Sequence, residues 1–459
     1  MSGRSLNIIC SATRDTAMSK VDYAEMEKKY VYGTWTYENA WNPLIIESGE
    51  GCYITDINGK RYLDFSSQLM CSNLGHKSRA VIDAMIKQAE KLCYAAPSFG
   101  TVPAALLGKK LAEIAPGDLC KSFITLGGAE ANEAAVQIAR LYTRKTKFIS
   151  RYRSYHGATS GAIALTGDPR NHYAVGMPGV VRAPDCYCYR CPFGKEYPGC
   201  GITCAGYIDE IIRMEGPKTV AGLIIEPIVG SNGILVPPDE YVPRLREICD
   251  EHDVLLMDDE VMAGFGRTGK MFCVEHWNVV PDIMTVAKGI SGAFLPVGAT
   301  ITTKKIADHF DQPGNLFSHG QTYAMHPMCC AVSLAAIQEY YDKKIVENAA
   351  KMGKVMEKRL NELAEDHVSV GEVRGKGLFW GVELVKNRET KEPFVTRREK
   401  FEPNTLKKVS ADAMKRGAYV VNVINTLIVA PPLIVTEKEI DEGVQILGEA
   451  LKVADKETH

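Results

Sequence analysis

Lys288 closes the apolar run DIMTVA and is followed by Gly289. An amine at the end of a buried strand is poorly solvated, and desolvation favours its neutral, nucleophilic form. A second apolar run, VLLMDDE, ends on three consecutive acids, Asp258, Asp259 and Glu260. Side chains alternate along a strand, so Asp259 faces away from both acidic neighbours. A glycine-rich turn, TLGGAEANE, leads into a helix start at Gly128 and Ala129. Backbone N–H groups at such a start bind phosphate. The segment RSYHGATSGA offers Tyr155, a ring able to stack on another ring, with His156 and Gly157 on the turn after it. Each feature alone has a plain structural reading: a loop lysine, a solvated strand end, a capped helix, a core aromatic. Together they are the parts that aldehyde chemistry on an amine requires. A lysine forms an imine with the cofactor and an acid keeps its pyridine nitrogen protonated. An anion cradle fixes its phosphate, and a flat side chain holds its ring.

Strands must carry these residues to one place. Lys147 to Ser150, Val220 to Ile225, Val254 to Met257, Ile283 to Ala287 and Val297 to Thr302 read as strands. Helical patterns at Ala129 to Tyr142, Ala205 to Met214 and Asp239 to His252 lie between them. Such alternation predicts an α/β fold, a mostly parallel sheet flanked by helices. We expect residues 71–328 to form this large domain. Residues 1–70 contain a hairpin, GCYITDINGKRYLDF, whose Asn58-Gly59 turn tolerates positive φ at both central positions. Residues 329–459 open with a long helical pattern running to about Leu363. They continue with a strand pair, VRGKGLFWGVEL, and end on a helix from Glu437 to Ala454. This C-terminal region is expected to form a smaller α+β domain, joined by the N-terminal hairpin.

Bulk properties narrow the class. A chain of 459 residues with 46% hydrophobic and 24% charged residues can bury a large core. Its net charge of −2 selects neither nucleic acid nor an anionic membrane. No apolar run approaches the roughly 18 residues of a membrane span. The N-terminal segment, Met1 to Lys20, has only a five-residue apolar patch, Leu6 to Cys10, too short for a secretory signal. It reads as a frayed tail, with a faint transit-peptide flavour from Arg4, Arg14 and several serines. The fourteen cysteines are mostly scattered in apolar surroundings, which predicts reduced thiols in the cytoplasm. One cluster differs. Cys188, Cys191, Cys200 and Cys204, with Cys186 beside them, come near the spacing of a structural zinc site. A loop of free thiols or a partial disulfide fits equally, and no metal is assigned.

Six motifs in one order identify a family. TLGGAEANEAA, YHGAT, IIEPIVGSNG, LLMDDEVMAGFGRTGK, TVAKGISGAFLPVGA and HGQTYAMHP together resemble the class III, or ω, aminotransferases. The resemblance runs from about Tyr32 to Val453. It implies a fold-type I transferase dependent on pyridoxal 5'-phosphate (PLP), with the large α/β fold shared with aspartate aminotransferase. It implies that Lys288 is the Schiff-base lysine and proton shuttle and that Asp259 binds the ring nitrogen. Gly128 and Ala129 would bind phosphate, Tyr155 would stack on the ring with His156 beside it, and Val261 would pack on the other face. Glu226 would lie close to the ring through its neighbours. Thr322 would reach the phosphate of a neighbouring subunit, which makes the active unit a homodimer or a dimer of dimers.

Two positions depart from the family pattern. Members that use α-amino acids often carry an arginine just before APPL, where this chain has Ile428. They also often carry a glutamate after the EPxxG glycine, where this chain has Ser231. The absent pair fits an ω-amino donor, whose anionic group lies away from the reacting carbon. The N-terminal part and the Tyr155 region are most similar to taurine aminotransferases. A 2-oxo acid acceptor is expected, 2-oxoglutarate before pyruvate. 4-Aminobutyrate, β-alanine and other ω-amines stay open as donors, as does an aminomutase on the same scaffold. Trp35, Leu69, Met70 and Tyr155 are the pocket candidates. Arg153 and Arg170, with Arg151 nearby, are the candidate cations for the substrate's anionic group.

Overall fold

A computed structural model of the protein describes residues 21–459, so the N-terminal reading of Met1 to Lys20 lies outside the described residues. Its centre is a seven-stranded sheet. From edge to edge the strands are Leu119–Thr125, Gly298–Thr303, Ile283–Val286, Leu255–Asp259, Val220–Ile225, Lys147–Arg151 and Val180–Ala183. The last five run parallel, and Gly298–Thr303 is antiparallel to both its neighbours. Every residue of the three strands from Ile283 to Ile225 is buried, because helices cover both faces of a parallel sheet. The sheet's two outlying strands, Leu119–Thr125 and Val180–Ala183, were not legible in the sequence. One, LCKSFIT, mixes polar and apolar residues without alternation, and the other is only four residues long.

The parallel strands bring the chemistry together. Glu226 follows Val220–Ile225 directly, Asp259 ends its own strand, and Lys288 comes two residues after Ile283–Val286. Tyr155 comes four residues after Lys147–Arg151. All these strands point the same way, so their C-terminal ends meet along one edge, the usual ligand edge of an open parallel sheet.

The N-terminal hairpin forms as expected, between Tyr53–Asp56 and Arg61–Asp64. Its turn differs in detail. Gly59 takes a φ of +82°, but Asn58 stays on the negative side. The Asp56 carboxylate holds the turn instead, accepting the N–H groups of Asn58 and Lys60 at 2.9 Å each. Arg61–Asp64 also pairs in parallel with Ala418–Tyr419, which ties the hairpin to the C-terminal region. A third sheet contains Val370–Lys376, Phe379–Asn387, Thr426–Val429 and Val421–Val423.

The long helical pattern after His326 is two helices, Pro327–Asp342 and Ile345–Asp366. Lys344 breaks it with a left-handed φ of 51°. Its apolar periodicity continues across the break, and no glycine or proline marks it. The buried Arg267 fastens the N-terminal, central and C-terminal segments together. It donates to Ser67 Oγ, Asn73 Oδ1, Leu378 O and Pro431 O. Among the described residues no helix is long and apolar enough to cross a membrane.

Candidate active site

A cavity of about 500 Å³ opens at the C-terminal edge of the sheet. Its wall includes Gly128, Ala129, Tyr155, His156, Glu226, Asp259, Val261 and Lys288. Local backbone shape explains why Lys288 reaches it. Lys288 has a φ of 47°, a conformation that a side-chain-bearing residue adopts only under tertiary constraint. The next position must be glycine: a Cβ on Gly289 would meet Asn73 Nδ2 at 2.6 Å and Phe265 Cβ at 2.7 Å. The Lys288 amine makes no hydrogen bond or ion pair with the described residues, and burial lowers its pKa.

Asp259 is held from three sides. Its Oδ2 accepts from Asn132 Nδ2 at 2.9 Å and lies 2.7 Å from His156 Nδ1; its Oδ1 accepts the Val261 N–H at 3.0 Å. Asn132 was missed in the sequence. It sits fully buried on helix Gly128–Thr143, donates also to His156 O at 2.8 Å, and accepts from Thr285 Oγ1 at 2.9 Å. The available signal was an asparagine one helical turn after Gly128, in a run otherwise rich in alanine. Alternation along the strand sends Asp258 and Glu260 the other way. Burial pushes the Glu260 carboxyl up to about 8, and burial beside Glu260 raises that of Asp258 well above the usual range.

Tyr155 is fixed by its backbone and its ring. Its N–H donates to Glu226 Oε1 at 3.0 Å, and the other Glu226 oxygen accepts the Gly230 N–H at 2.9 Å. Burial raises the Glu226 pKa. The Arg170 guanidinium lies 3.5 Å from the Tyr155 ring centre, and the Trp35 ring stands edge-on to it at 6.5 Å. Asp168 positions Arg170 through its Nε at 2.9 Å and also binds Lys400 Nζ at 3.0 Å. Two cations thus share one buried carboxylate, and positive charge is in excess beside Tyr155. Burial, and next the Arg170 charge, lower the Lys400 pKa to about 8.

Other expected residues lie elsewhere. Met70 is buried in the main hydrophobic core, and Leu69 is exposed. Thr322 is exposed, with its carbonyl accepting from Tyr94 OH at 3.0 Å, and is not part of the cavity wall. Arg151 is fully buried and donates to the Glu226 carbonyl. Arg153 lines a neighbouring cavity, with its guanidinium over the Tyr187 ring at 4.8 Å. Ile428 is fully enclosed within Thr426–Val429, and Ser231 is buried. Cys188, Cys191, Cys200 and Cys204 line one small cavity with Cys186. They are free thiols, and the described group whose ligand atoms converge within 4.8 Å is instead Asp209, Glu251 and His252.

A PLP-sized group fits the main cavity on three observations. Helix Gly128–Thr143 has no side-chain cap, which leaves its first N–H groups for an anion. Gly128 stands so close to Val261 that a Cβ would meet it at 2.7 Å, so the backbone itself forms that wall. A partnerless amine and a firmly held buried carboxylate complete the set.

Comparison with known proteins defines the class. The family model Aminotransferase class-III matches residues 36–451, and the chain belongs to that family. It is therefore a transaminase with pyridoxal 5'-phosphate as cofactor. The taurine–pyruvate aminotransferase of Bilophila wadsworthia is 36% identical over 450 residues, covering 95% of this chain and 98% of that one. The leucine/methionine racemase of Thermococcus litoralis is 38% identical over 416 residues, covering 89% and 90%. The solved taurine:2-oxoglutarate aminotransferase of Bifidobacterium kashiwanohense, in complex with PLP and glutamate, matches with a TM-score of 0.90. It is 34% identical, with 96% of this chain and 99% of that chain covered.

Proposed function

We propose that this transaminase moves an amino group from an ω-amino donor, best represented by taurine, to a 2-oxo acid, with 2-oxoglutarate preferred and pyruvate next. The observation that carries the donor class is Ile428. At the position where α-amino-acid users often hold an arginine, this chain has an aliphatic side chain enclosed in a strand. The likeness to two taurine aminotransferases supports the same reading. Arg170 is the cation we assign to the substrate's anionic group, because it lies over Tyr155 beside the cavity.

PLP, when bound, supplies the carbonyl carbon that takes up the amino group and the ring that withdraws electrons. In this reading Lys288 anchors the cofactor and carries the proton between the two reacting carbons. Asp259 keeps a proton on the ring nitrogen, and Asn132 and His156 hold its carboxylate in place. The N–H groups at Gly128 and Ala129 bind the phosphate. Tyr155 and Val261 confine the ring, and Glu226 positions Tyr155. Trp35 shapes the donor end beyond Tyr155.

A donor screen tests the substrate assignment. A bidentate arginine is the strong way to grip a carboxylate, and this site lacks it at Ile428. Taurine should exceed ornithine and aspartate in kcat/KM by about tenfold or more, a difference of roughly 1.4 kcal/mol. Better turnover of ornithine or aspartate would overturn the assignment. 4-Aminobutyrate and β-alanine are the alternatives within the same donor class.

The similar racemase favours a second reading, an isomerase or aminomutase on the same scaffold. One half-reaction separates them: a transaminase releases an oxo product and keeps the amino group on its cofactor. An isomerised amine with no oxo product would establish the alternative.

We also propose a homodimer or dimer of dimers, in which Thr322 serves the neighbouring subunit's phosphate. Its exposure supports this. Sedimentation should give a dimer or larger, and Thr322→Ala should weaken cofactor retention. A fully active monomer at dilute concentration contradicts it. The free thiols of the described cysteines support a cytoplasmic location.

A further inference from the structure

The second cavity, about 190 Å³, lies between the Tyr187 to Arg190 segment and the C-terminal sheet. Three arginines, Arg153, Arg190 and Arg397, share its wall with one carboxylate, Glu383. That carboxylate is already neutralised. Its Oε1 accepts from Arg190 Nε at 2.7 Å, its Oε2 meets Arg374 Nη1 at 2.6 Å, and Tyr187 OH donates to it as well.

The arginines are not satisfied in the same way. The Arg153 guanidinium makes no hydrogen bond or ion pair with the described residues; only its backbone N–H is engaged, by Asp185 Oδ1 at 2.9 Å. Arg190 Nη2 is buried without a hydrogen-bond partner. Arg397 spends its Nη2 on the carbonyls of Tyr152 and Gly167, at 2.8 and 2.7 Å. Burial, and next the nearby Arg153 charge, lower the Arg397 pKa. Buried cationic N–H groups without acceptors are costly, and proteins rarely leave them so. Asn232 adds an oxygen that also lacks a partner, which an ordered water or a ligand O–H satisfies.

We infer that this cavity is a second anion site, which takes a small oxyanion such as sulfate, hydrogen phosphate or a short carboxylate. A planar or tetrahedral oxyanion matches guanidinium forks, and charge-assisted bonds of this kind are the strong ones. A volume of about 190 Å³ holds such a group. The site is separate from the PLP cavity: none of its wall residues is shared with that cavity. Arg153 thereby belongs to this second site and not to the substrate.

The test uses the PLP-loaded enzyme, whose phosphate cradle is filled. Sulfate is titrated against chloride at constant ionic strength while thermal stability is followed. A crystal soaked in selenate then locates the anion by its anomalous signal. We expect a saturable rise in Tm over the chloride control and a selenate peak among Arg153, Arg190 and Arg397. Arg153→Gln should raise half-saturation at least tenfold. Arg397→Gln should do the same, which keeps the test decisive if one variant fails to fold. An unchanged sulfate response in a folded variant, or no selenate in the cavity at saturating concentration, overturns the proposal.

Discussion

Replacing Lys288 by alanine should abolish transamination, with turnover falling by roughly 10³-fold or more, the scale of a lost proton-transfer group. Among the described residues, no other lysine lines the cavity. Burial lowers the Lys288 pKa, so a larger fraction of its amine is neutral and able to attack a carbonyl than in a solvated lysine. The variant should fold, because the amine has no structural partner among the described residues and its removal orphans nothing. Borohydride treatment of the wild-type enzyme should leave the cofactor covalently bound to Lys288, read by peptide mass. Label on any other lysine sinks the assignment.

Asp259→Asn should cost roughly 10²-fold or more in turnover while the fold is kept, as expected when a preorganised charge is removed from a dry site. The carboxamide has nearly the same shape, so the contacts from Asn132 and Val261 can persist in part. What is lost is the negative charge that the proposed function sets against the cofactor's ring nitrogen. The readout is kcat together with the absorbance of bound cofactor. Cofactor retained with turnover near the wild-type value would show that another group holds the ring proton.

Particular elements show how much of the fold is legible in the chain. The Leu255–Asp259 strand was visible as an apolar run that ends on acids, and strand alternation separated Asp259 from Asp258 and Glu260. The start of helix Gly128–Thr143 was visible as glycine followed by alanines. Failures came where local pattern and tertiary demand part. The helix break at Lys344 carries no glycine or proline, although the residue takes a left-handed φ. The Asn58-Gly59 turn formed, but a side-chain carboxylate two residues earlier chose its geometry.

By itself, then, the sequence determined the strand-helix alternation and the class of cofactor chemistry, and it supplied the candidate residues for that chemistry. These rest on short-range facts, namely periodicity, strand ends and residue types that are expensive to bury without use, and on motifs that resemble a known family. Only the tertiary structure decided which of the candidate cations stands where. Arg153 and Arg170 look alike along the chain, since both follow the strand Lys147–Arg151 and flank Tyr155. Asp168 draws Arg170 over the Tyr155 ring, whereas Arg153 turns onto Tyr187, beside a sheet built from residues more than two hundred positions away. A long flexible side chain has no direction until its partners are folded around it, and those partners lie far away in sequence.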